Sequence, residues 1–272
     1  MAGIGRILVV GGGIAGLSVA AALHRKGLTP ELVERSTAWP AIGAGINLPA
    51  NGVRVLRALD AVAGIERFGA VIRRWGFFDQ RGEMLWQTDL EDLWRDVGPC
   101  VGFTRVRLQE VLVAAAAQVP IRLGVSLTGL TQAGDHVAVN FSDGASGEYD
   151  MVIGADGIHS TVRELALASS IPSYAGQMVW RSVIPLRPPG LVEMMVLLGD
   201  GCYFALVPMD EGCTYGFGGI DAGRFEDPVP GRLERFRARF AGFGSPVPAY
   251  LAALQSDQQL HVAAIEWVEI EE

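Results

Sequence analysis

The run Arg6-Ile7-Leu8-Val9-Val10 followed by Gly11-x-Gly13-x-x-Gly16 constrains the fold more than any other stretch of this 272-residue chain. A short run of this kind is expected for a strand buried on both faces. The glycines turn the chain, and an alanine-rich helix is expected over 17–26, ended by Gly27. In such a turn the first glycine permits a tight bend. The second lets backbone approach a pyrophosphate, and the third lets helix pack on strand. Backbone N–H groups and the positive end of the helix then face the phosphates. A second strand over 32–34 closes on Glu34, where a carboxylate can accept both hydroxyls of a ribose and would repel a 2′-phosphate. The combination predicts a dinucleotide site; its alternative is a glycine-rich turn with no ligand.

The same residues imitate a secretory signal. Positions 1–23 hold a basic residue (Arg6), an apolar run and Ala20-Ala21-Ala22, and 7–23 is nearly long enough for a membrane helix. Gly11-Gly12-Gly13 would break such a helix where it should be strongest, so no stable membrane span is expected. Cys100, Cys202 and Cys213 are too few and too scattered for a disulfide framework or a zinc site. No metal and a cytoplasmic location are therefore expected. Half of the residues are hydrophobic and 19% are charged, which suits a filled core and excludes a disordered chain. The formal net charge of −8 repels polyanions and argues against nucleic acid as a partner. Lys26 is the only lysine among 22 basic residues; a bias this strong reads as codon usage, not as an anion-binding surface.

Further along, a helix is expected over 105–117 with Leu108, Val111 and Leu112 on one face. Strands are expected over 121–130, 136–142 and 149–153, the second closing on Asp143-Gly144. The last runs into Gly154-Ala155-Asp156-Gly157 and a helix from about Ser160. A hairpin is expected over 71–88, turning at 80–82. Beyond Ser170 the grammar changes: strand-length runs at 177–186, 191–198, 203–207 and 214–220 are separated by Pro/Gly turns, as in an antiparallel sheet. Helices follow near 231–241 and 247–255. The fold class is therefore α/β (α+β overall), a Rossmann-like domain interleaved with an antiparallel-sheet domain. The expected boundaries are 1–72 and 98–172 for the first, and 73–97 and 173–268 for the second.

Two stretches narrow the choice of dinucleotide. Met151 to Arg163 reads MVIGADGIHSTVR, and Arg105-x-x-Leu108-x-x-x-Leu112 opens the middle helix. With the N-terminal glycine motif, they make the chain resemble the group A flavoprotein monooxygenases, the single-component aromatic hydroxylases. The salicylate and 3-hydroxybenzoate hydroxylase branch looks nearest. Gly43-Ala44-Gly45-Ile46-Asn47-Leu48, with Asn51-Gly52 and Arg54, looks like the family segment that comes near the flavin. Tyr174-Ala175-Gly176 through Trp180-Arg181 resembles its entry into the substrate sheet. The resemblance runs over essentially the whole chain.

The resemblance implies FAD bound by Gly11, Gly13, Ile14, Ala15, Gly16 and Glu34, with Arg35, Gly45 and Val125 in the same set. Arg105 would reach the phosphate–ribityl region. Asp156 and Gly157, the family's DG motif, would support FAD and the transient approach of NAD(P)H. A turn or helix-cap role is the alternative for Asp156. The implied reaction is hydroxylation of a small aromatic or related electron-rich substrate by O₂, through a C4a-hydroperoxyflavin. The chemistry is mostly the cofactor's, while the protein positions the ring and keeps water away. A flavin-dependent reductase or halogenase on the same fold, or a catalytically incomplete FAD-binding fragment, are the alternatives. The family's third motif, a Gly-Asp segment after 266–269, does not occur, so the sequence is expected to be truncated there, with 269–272 beginning a missing segment.

No catalytic constellation emerges. His24, His136, His159 and His261 are dispersed, and His159, beside the DG motif, reads as structural more readily than as an acid or base. The substrate contacts are expected on the second sheet. Tyr203, Tyr215 and Phe217 can form an aromatic floor or plain core. Arg181 can anchor a carboxylate or phenolate, or sit in solvent as an edge-strand arginine.

Overall fold

In the computed structural model, which describes residues 5–39, 44–167, 171–209 and 212–270, the first strand is Arg6–Val10. It lies second in a four-stranded parallel sheet, in the order Met151–Gly154, Arg6–Val10, Thr29–Glu34, Ile121–Leu123. Both faces of the sheet are covered, which is why the run carries no polar alternation. Val9 and Leu32 pack on the helices Ile14–Arg25 and Arg105–Ala115 through Leu17, Ala20, Leu108 and Leu112. Leu8, Val10 and Val33 pack on Val137, Val139 and Tyr149 of an antiparallel meander, Leu127–Ala133, His136–Phe141 and Ser146–Tyr149.

Three expected boundaries move for local reasons. The first helix begins at Ile14, not at 17, because Gly13 already takes the N-cap position in extended backbone. The run 121–130 divides at Gly124, whose φ of +74° turns the chain out of the parallel sheet and into the meander. The run 149–153 divides at Asp150. There the carboxylate accepts from the Gly5 and Arg6 N–H groups, each at 2.7 Å, and the chain passes from one sheet to the other.

The second sheet has seven strands in the order His261–Trp267, Ser173–Ile184, Thr214–Asp221, Cys202–Pro208, Met194–Gly199, Arg74–Asp79, Met84–Asp89. The last two form the expected hairpin, but Val71 belongs elsewhere. It lies in Ala70–Ile72, part of a three-stranded sheet with Gly45–Leu48 and Cys100–Thr104. The seven-stranded sheet is antiparallel except where Met194–Gly199 pairs parallel with Arg74–Asp79. Those strands come from distant chain segments, so no hairpin fixes their direction.

One face of this sheet is sealed by the helices Arg232–Phe240 and Val247–Ala253. Phe236, Phe240 and Tyr250 pack there on Trp180 and Phe204. The opposite face turns toward the parallel-sheet side of the molecule, where Val207, Ala205 and Tyr215 meet Ala50 and Ile72. Gly43 and positions 1–4, 168–170 and 271–272, which the sequence reading touches, lie outside the described residues.

Candidate functional site

The glycine turn sits at the C-terminal end of Arg6–Val10, where open α/β sheets bind ligands. Its glycines do different work. Gly11 has φ +107°, and a Cβ there would lie 2.5 Å from the Ala155 carbonyl oxygen. A Cβ on Gly16 would lie 1.8 Å from the Gly11 oxygen, so the helix can start this close to the turn only without a side chain. A Cβ on Gly13 would meet nothing within 4 Å. The open space beside Gly13, ahead of a 12-residue helix whose first turn has no side-chain cap, is where a phosphate can approach.

Gly12 fixes the turn from both sides. Its N–H donates to Glu34 Oε2 at 2.6 Å, and its carbonyl accepts from Gln109 Nε2 at 2.7 Å. Glu34 Oε1 accepts from the Ser36 N–H at 2.8 Å. Partial burial works to raise the Glu34 pKa, but the N–H donors of Ser36 and Gly12 outweigh it, and the carboxyl is held below its ordinary value. A carboxylate offers about four lone-pair sites, so Glu34 keeps capacity for ribose hydroxyls after ordering the turn.

A cavity of about 340 Å³ opens here. Gly11, Gly13, Glu34, Arg35, Arg105, Val125, Asp156 and Gly157 line it, together with Ser36, Ser126, His159 and Thr161. Ile14, Ala15 and Gly16 form the first helical turn beside it: Ile14 is half-buried, Ala15 exposed and Gly16 buried. Gly45 does not line it. The space its Cβ would occupy is filled by the Tyr215 ring, 2.3 Å from Cγ, which accounts for a glycine there.

Asp156 makes the contacts of a cap. Its Oδ1 accepts from Ser160 Oγ at 2.5 Å and its Oδ2 from the Val162 N–H at 3.1 Å, holding the start of the helix Thr161–Ala166. Arg163 backs the same turn by donating to the Ile158 carbonyl at 2.6 Å. His159 is exposed and stands 3.5 Å from Glu266. Gln109 was not among the sequence candidates. Its one sequence signal is a polar residue within the buried arc of Leu108, Val111 and Leu112, and it is only 8% exposed.

Arg181 is not an edge-strand residue. Ser173–Ile184 is flanked by His261–Trp267 and Thr214–Asp221, and Arg181 is half-buried opposite Phe217. The sequence could not show this, because the flanking strand His261–Trp267 is supplied from the far end of the chain. Arg181 shares its face with Tyr203, Tyr215 and Phe217. Tyr215 and Phe217 have ring centroids 5.1 Å apart, and Tyr203 meets Phe217 edge-on at 6.1 Å. Burial pushes the hydroxyls of Tyr203 and Tyr215 up, with Arg181 opposing it in both. At Tyr215 the charges of Arg181 and Arg105 both work against this rise. Arg105 lines the glycine-turn cavity, and its backbone N–H donates to the Ala44 carbonyl at 3.0 Å, next to Gly45, which packs against the Tyr215 ring of the aromatic face.

A Rossmann-like parallel sheet with a cavity at its glycine turn, joined to a large, mainly antiparallel sheet that presents aromatic rings, defines an α/β fold of the nucleotide-cofactor class. Comparison with known proteins makes the assignment specific. Residues 6–211 match the family model described as FAD binding domain. The chain is 30% identical to the aurachin C monooxygenase/isomerase of Stigmatella aurantiaca, over 97% of this chain and 71% of that protein. It is 33% identical to the 3-amino-4-hydroxybenzoate 2-monooxygenase of Streptomyces cremeus, over 83% of this chain and 59% of that protein. It also superposes on the crystal structure of Klebsiella pneumoniae HpxO complexed with FAD and uric acid, with a TM-score of 0.88, 28% identity, and coverage of 97% of this chain and 70% of that one. The chain belongs to the FAD binding domain family and, within it, to the group A FAD-dependent aromatic monooxygenases. It spans 59–71% of the length of the two curated relatives named here. The open approach at Gly13, the spare acceptor capacity of Glu34 and the helix N-terminus fit FAD, the cofactor of this family.

Among the described residues no helix is long and apolar enough to cross a membrane, and no three His, Cys, Asp or Glu side chains cluster as metal ligands would.

Proposed function

We propose that the protein is an FAD- and NAD(P)H-dependent monooxygenase that hydroxylates a small aromatic or related electron-rich ring with O₂. The observation that carries this reading is the adjacency of two surfaces: the cavity of the glycine turn, lined by Arg105, and the face bearing Tyr203, Tyr215 and Phe217, whose Tyr215 ring packs on Gly45, the strand partner of Thr104 next to Arg105. Bound FAD supplies the redox chemistry and the activation of oxygen.

The chain's own residues do the rest. Gly13 and the first turn of Ile14–Arg25 receive the pyrophosphate, and Glu34 accepts from the ribose. Arg35, Val125 and Gly157 shape the cavity wall around Arg105. Asp156 acts by capping the helix that forms one wall, which keeps Gly157 and His159 at the rim. Tyr203 and Phe217 offer the substrate ring an edge-and-face surface. The segments 1–72 and 98–172 form the FAD-binding part in this reading, and 73–97 and 173–268 the substrate part.

The test has two stages. FAD is titrated into the purified chain, following quenching of flavin fluorescence; saturable binding is expected. Oxygen consumption linked to NADH or NADPH oxidation is then measured with candidate aromatic substrates, and a hydroxylated product is identified by mass. NAD(P)H oxidation without an oxygenated product would replace the monooxygenase reading with that of a reductase.

A further inference from the structure

Two of the rings on the aromatic face stand on a strand that glycine weakens. Thr214–Asp221 carries Tyr215 and Phe217 to that face, while its positions 216, 218 and 219 are glycines. Glycine in a strand interior loses the most conformational freedom on folding and has no side chain to pack. The placement of the rings therefore depends on what presses on the strand from behind. A Cβ on Gly218 would lie 2.5 Å from Cζ of Phe240, and one on Gly216 would lie 2.3 Å from Cζ of Tyr250. Both aromatic rings come from the helices that seal the far side of the sheet.

Phe240 offers contact alone, whereas Tyr250 adds a directional tie. Tyr250 is wholly buried, and its hydroxyl lies 2.7 Å from Ser182 Oγ and 2.9 Å from the Ser182 carbonyl oxygen. A phenol has one proton to give. It goes to the carbonyl, so the Ser182 hydroxyl donates to the Tyr250 oxygen and both buried groups are satisfied. Burial pushes the Tyr250 hydroxyl well above its ordinary pKa, which keeps it a neutral donor. Ser182 pairs with Gly216, between the pair Arg181–Phe217 and the pair Val183–Tyr215. Side chains alternate along a strand, so those four project from the opposite face. Tyr250 thus ties the two strands together, its ring on Gly216 and its hydroxyl on Ser182, directly behind Arg181, Tyr215 and Phe217.

We propose that Tyr250 is a positioning residue of the substrate site. Without touching substrate, its hydroxyl sets the spacing of Arg181 against Tyr215 and Phe217, and through it the orientation in which a substrate ring meets the cofactor. The inference rests on the reading that substrate occupies the face opposite Tyr250.

FAD-loaded wild type is compared with Tyr250→Phe, which keeps the ring on Gly216 and removes only the hydroxyl. Phenol is the binding probe, its Kd read from the shift it causes in the bound-flavin spectrum. The ratio of hydroxylated product to NAD(P)H oxidised is read with the compound that wild type hydroxylates in the oxygen-consumption screen. Tyr250→Phe should load flavin as wild type does, with the phenol Kd raised or the product ratio lowered by about threefold or more. Ser182→Ala should reproduce the change, and the double variant should be no worse than either single one. Should Tyr250→Phe fail to load flavin, Ser182→Ala decides by the same readouts. Tyr149→Phe removes another buried hydroxyl, bonded to Glu31 at 3.0 Å in the meander. It should lower the thermal midpoint without moving Kd or product ratio. Kd and ratio both unchanged in Tyr250→Phe, or changed equally in Tyr149→Phe, would overturn the proposal. A flavin-loaded wild type that neither responds to phenol nor yields a hydroxylated product would overturn the substrate-face reading and the proposal with it.

Discussion

Gln109 donates from Nε2 to the carbonyl of Gly12 at 2.7 Å across 97 positions of sequence, tying the middle helix to the glycine turn. The opposite side of the same peptide is held by Glu34, which accepts from the Gly12 N–H. The turn is therefore ordered before any cofactor arrives, and a ligand need not supply that ordering free energy. Gln109→Leu removes the donor and leaves a buried carbonyl unpaired. It should cost about 1–3 kcal/mol of stability, read from chemical denaturation, and weaken FAD binding in the fluorescence titration. Unchanged stability together with unchanged affinity would show that the turn orders itself without this bond.

Gly13 and Gly16 separate ligand effects from folding effects. A Cβ at Gly13 meets nothing within 4 Å, so Gly13→Ala should leave the ligand-free chain within about 0.5 kcal/mol of wild type. Its added methyl projects into the space assigned to the pyrophosphate, and FAD affinity should fall; Gly13→Val should abolish it. Gly16→Ala is the opposite case. Its Cβ would sit 1.8 Å from the Gly11 oxygen, so the ligand-free chain itself should be destabilised, with a lower thermal midpoint before FAD is added. An FAD affinity for Gly13→Val equal to wild type would remove the pyrophosphate from this position.

The glycine turn was legible because close backbone approach leaves a letter behind: only glycine avoids the contacts measured at Gly11 and Gly16. The buried strand Arg6–Val10 was legible for a similar reason, since burial on both faces forbids polar residues. Facts that depend on which distant segments meet were not legible. Arg181 reads alike in an edge strand and an interior strand until His261–Trp267 is seen beside it. That the Tyr215 ring fills the space beside Gly45, which by itself requires a glycine there, is seen only once the two strands meet. Gln109 looked like an ordinary helix residue because its partner lies on another element. Asp150 splits an apparently continuous strand by a capping role that no local pattern announces.

Asp156 carries its contacts as a helix cap, with both carboxylate oxygens engaged by Ser160 and Val162. Asp156→Ala should cost about 1 kcal/mol of stability in the ligand-free chain, within the range for lost caps. Ser160→Ala removes the hydroxyl that joins Asp156 to the Arg163 N–H and should cost a similar amount. The informative comparison is in FAD affinity. If capping is the whole role of Asp156, the two variants should weaken FAD equally. A much larger loss in Asp156→Ala would assign the carboxylate a direct contact with the cofactor.

The pH dependence of the glycine turn follows from Glu34. Partial burial alone would raise its pKa, but the N–H donors of Ser36 and Gly12 win, and the folded-state value lies below the unfolded one. A carboxyl depressed in this way contributes stability that is fully present above the unfolded value. That contribution is lost as pH falls through the folded value. Wild type should therefore lose this part of its stability only below about pH 4. Glu34→Gln, with one oxygen left to accept and no charge, should lack that part of the acid transition. Thermal midpoints of the two proteins compared between about pH 3 and 7 should converge toward the acid end and separate at neutral pH. Curves that run parallel throughout would show that ionised Glu34 does not hold the turn. At neutral pH Glu34→Ala should also weaken FAD by about 1–3 kcal/mol, because the ribose loses its acceptor and Gly12 its anchor.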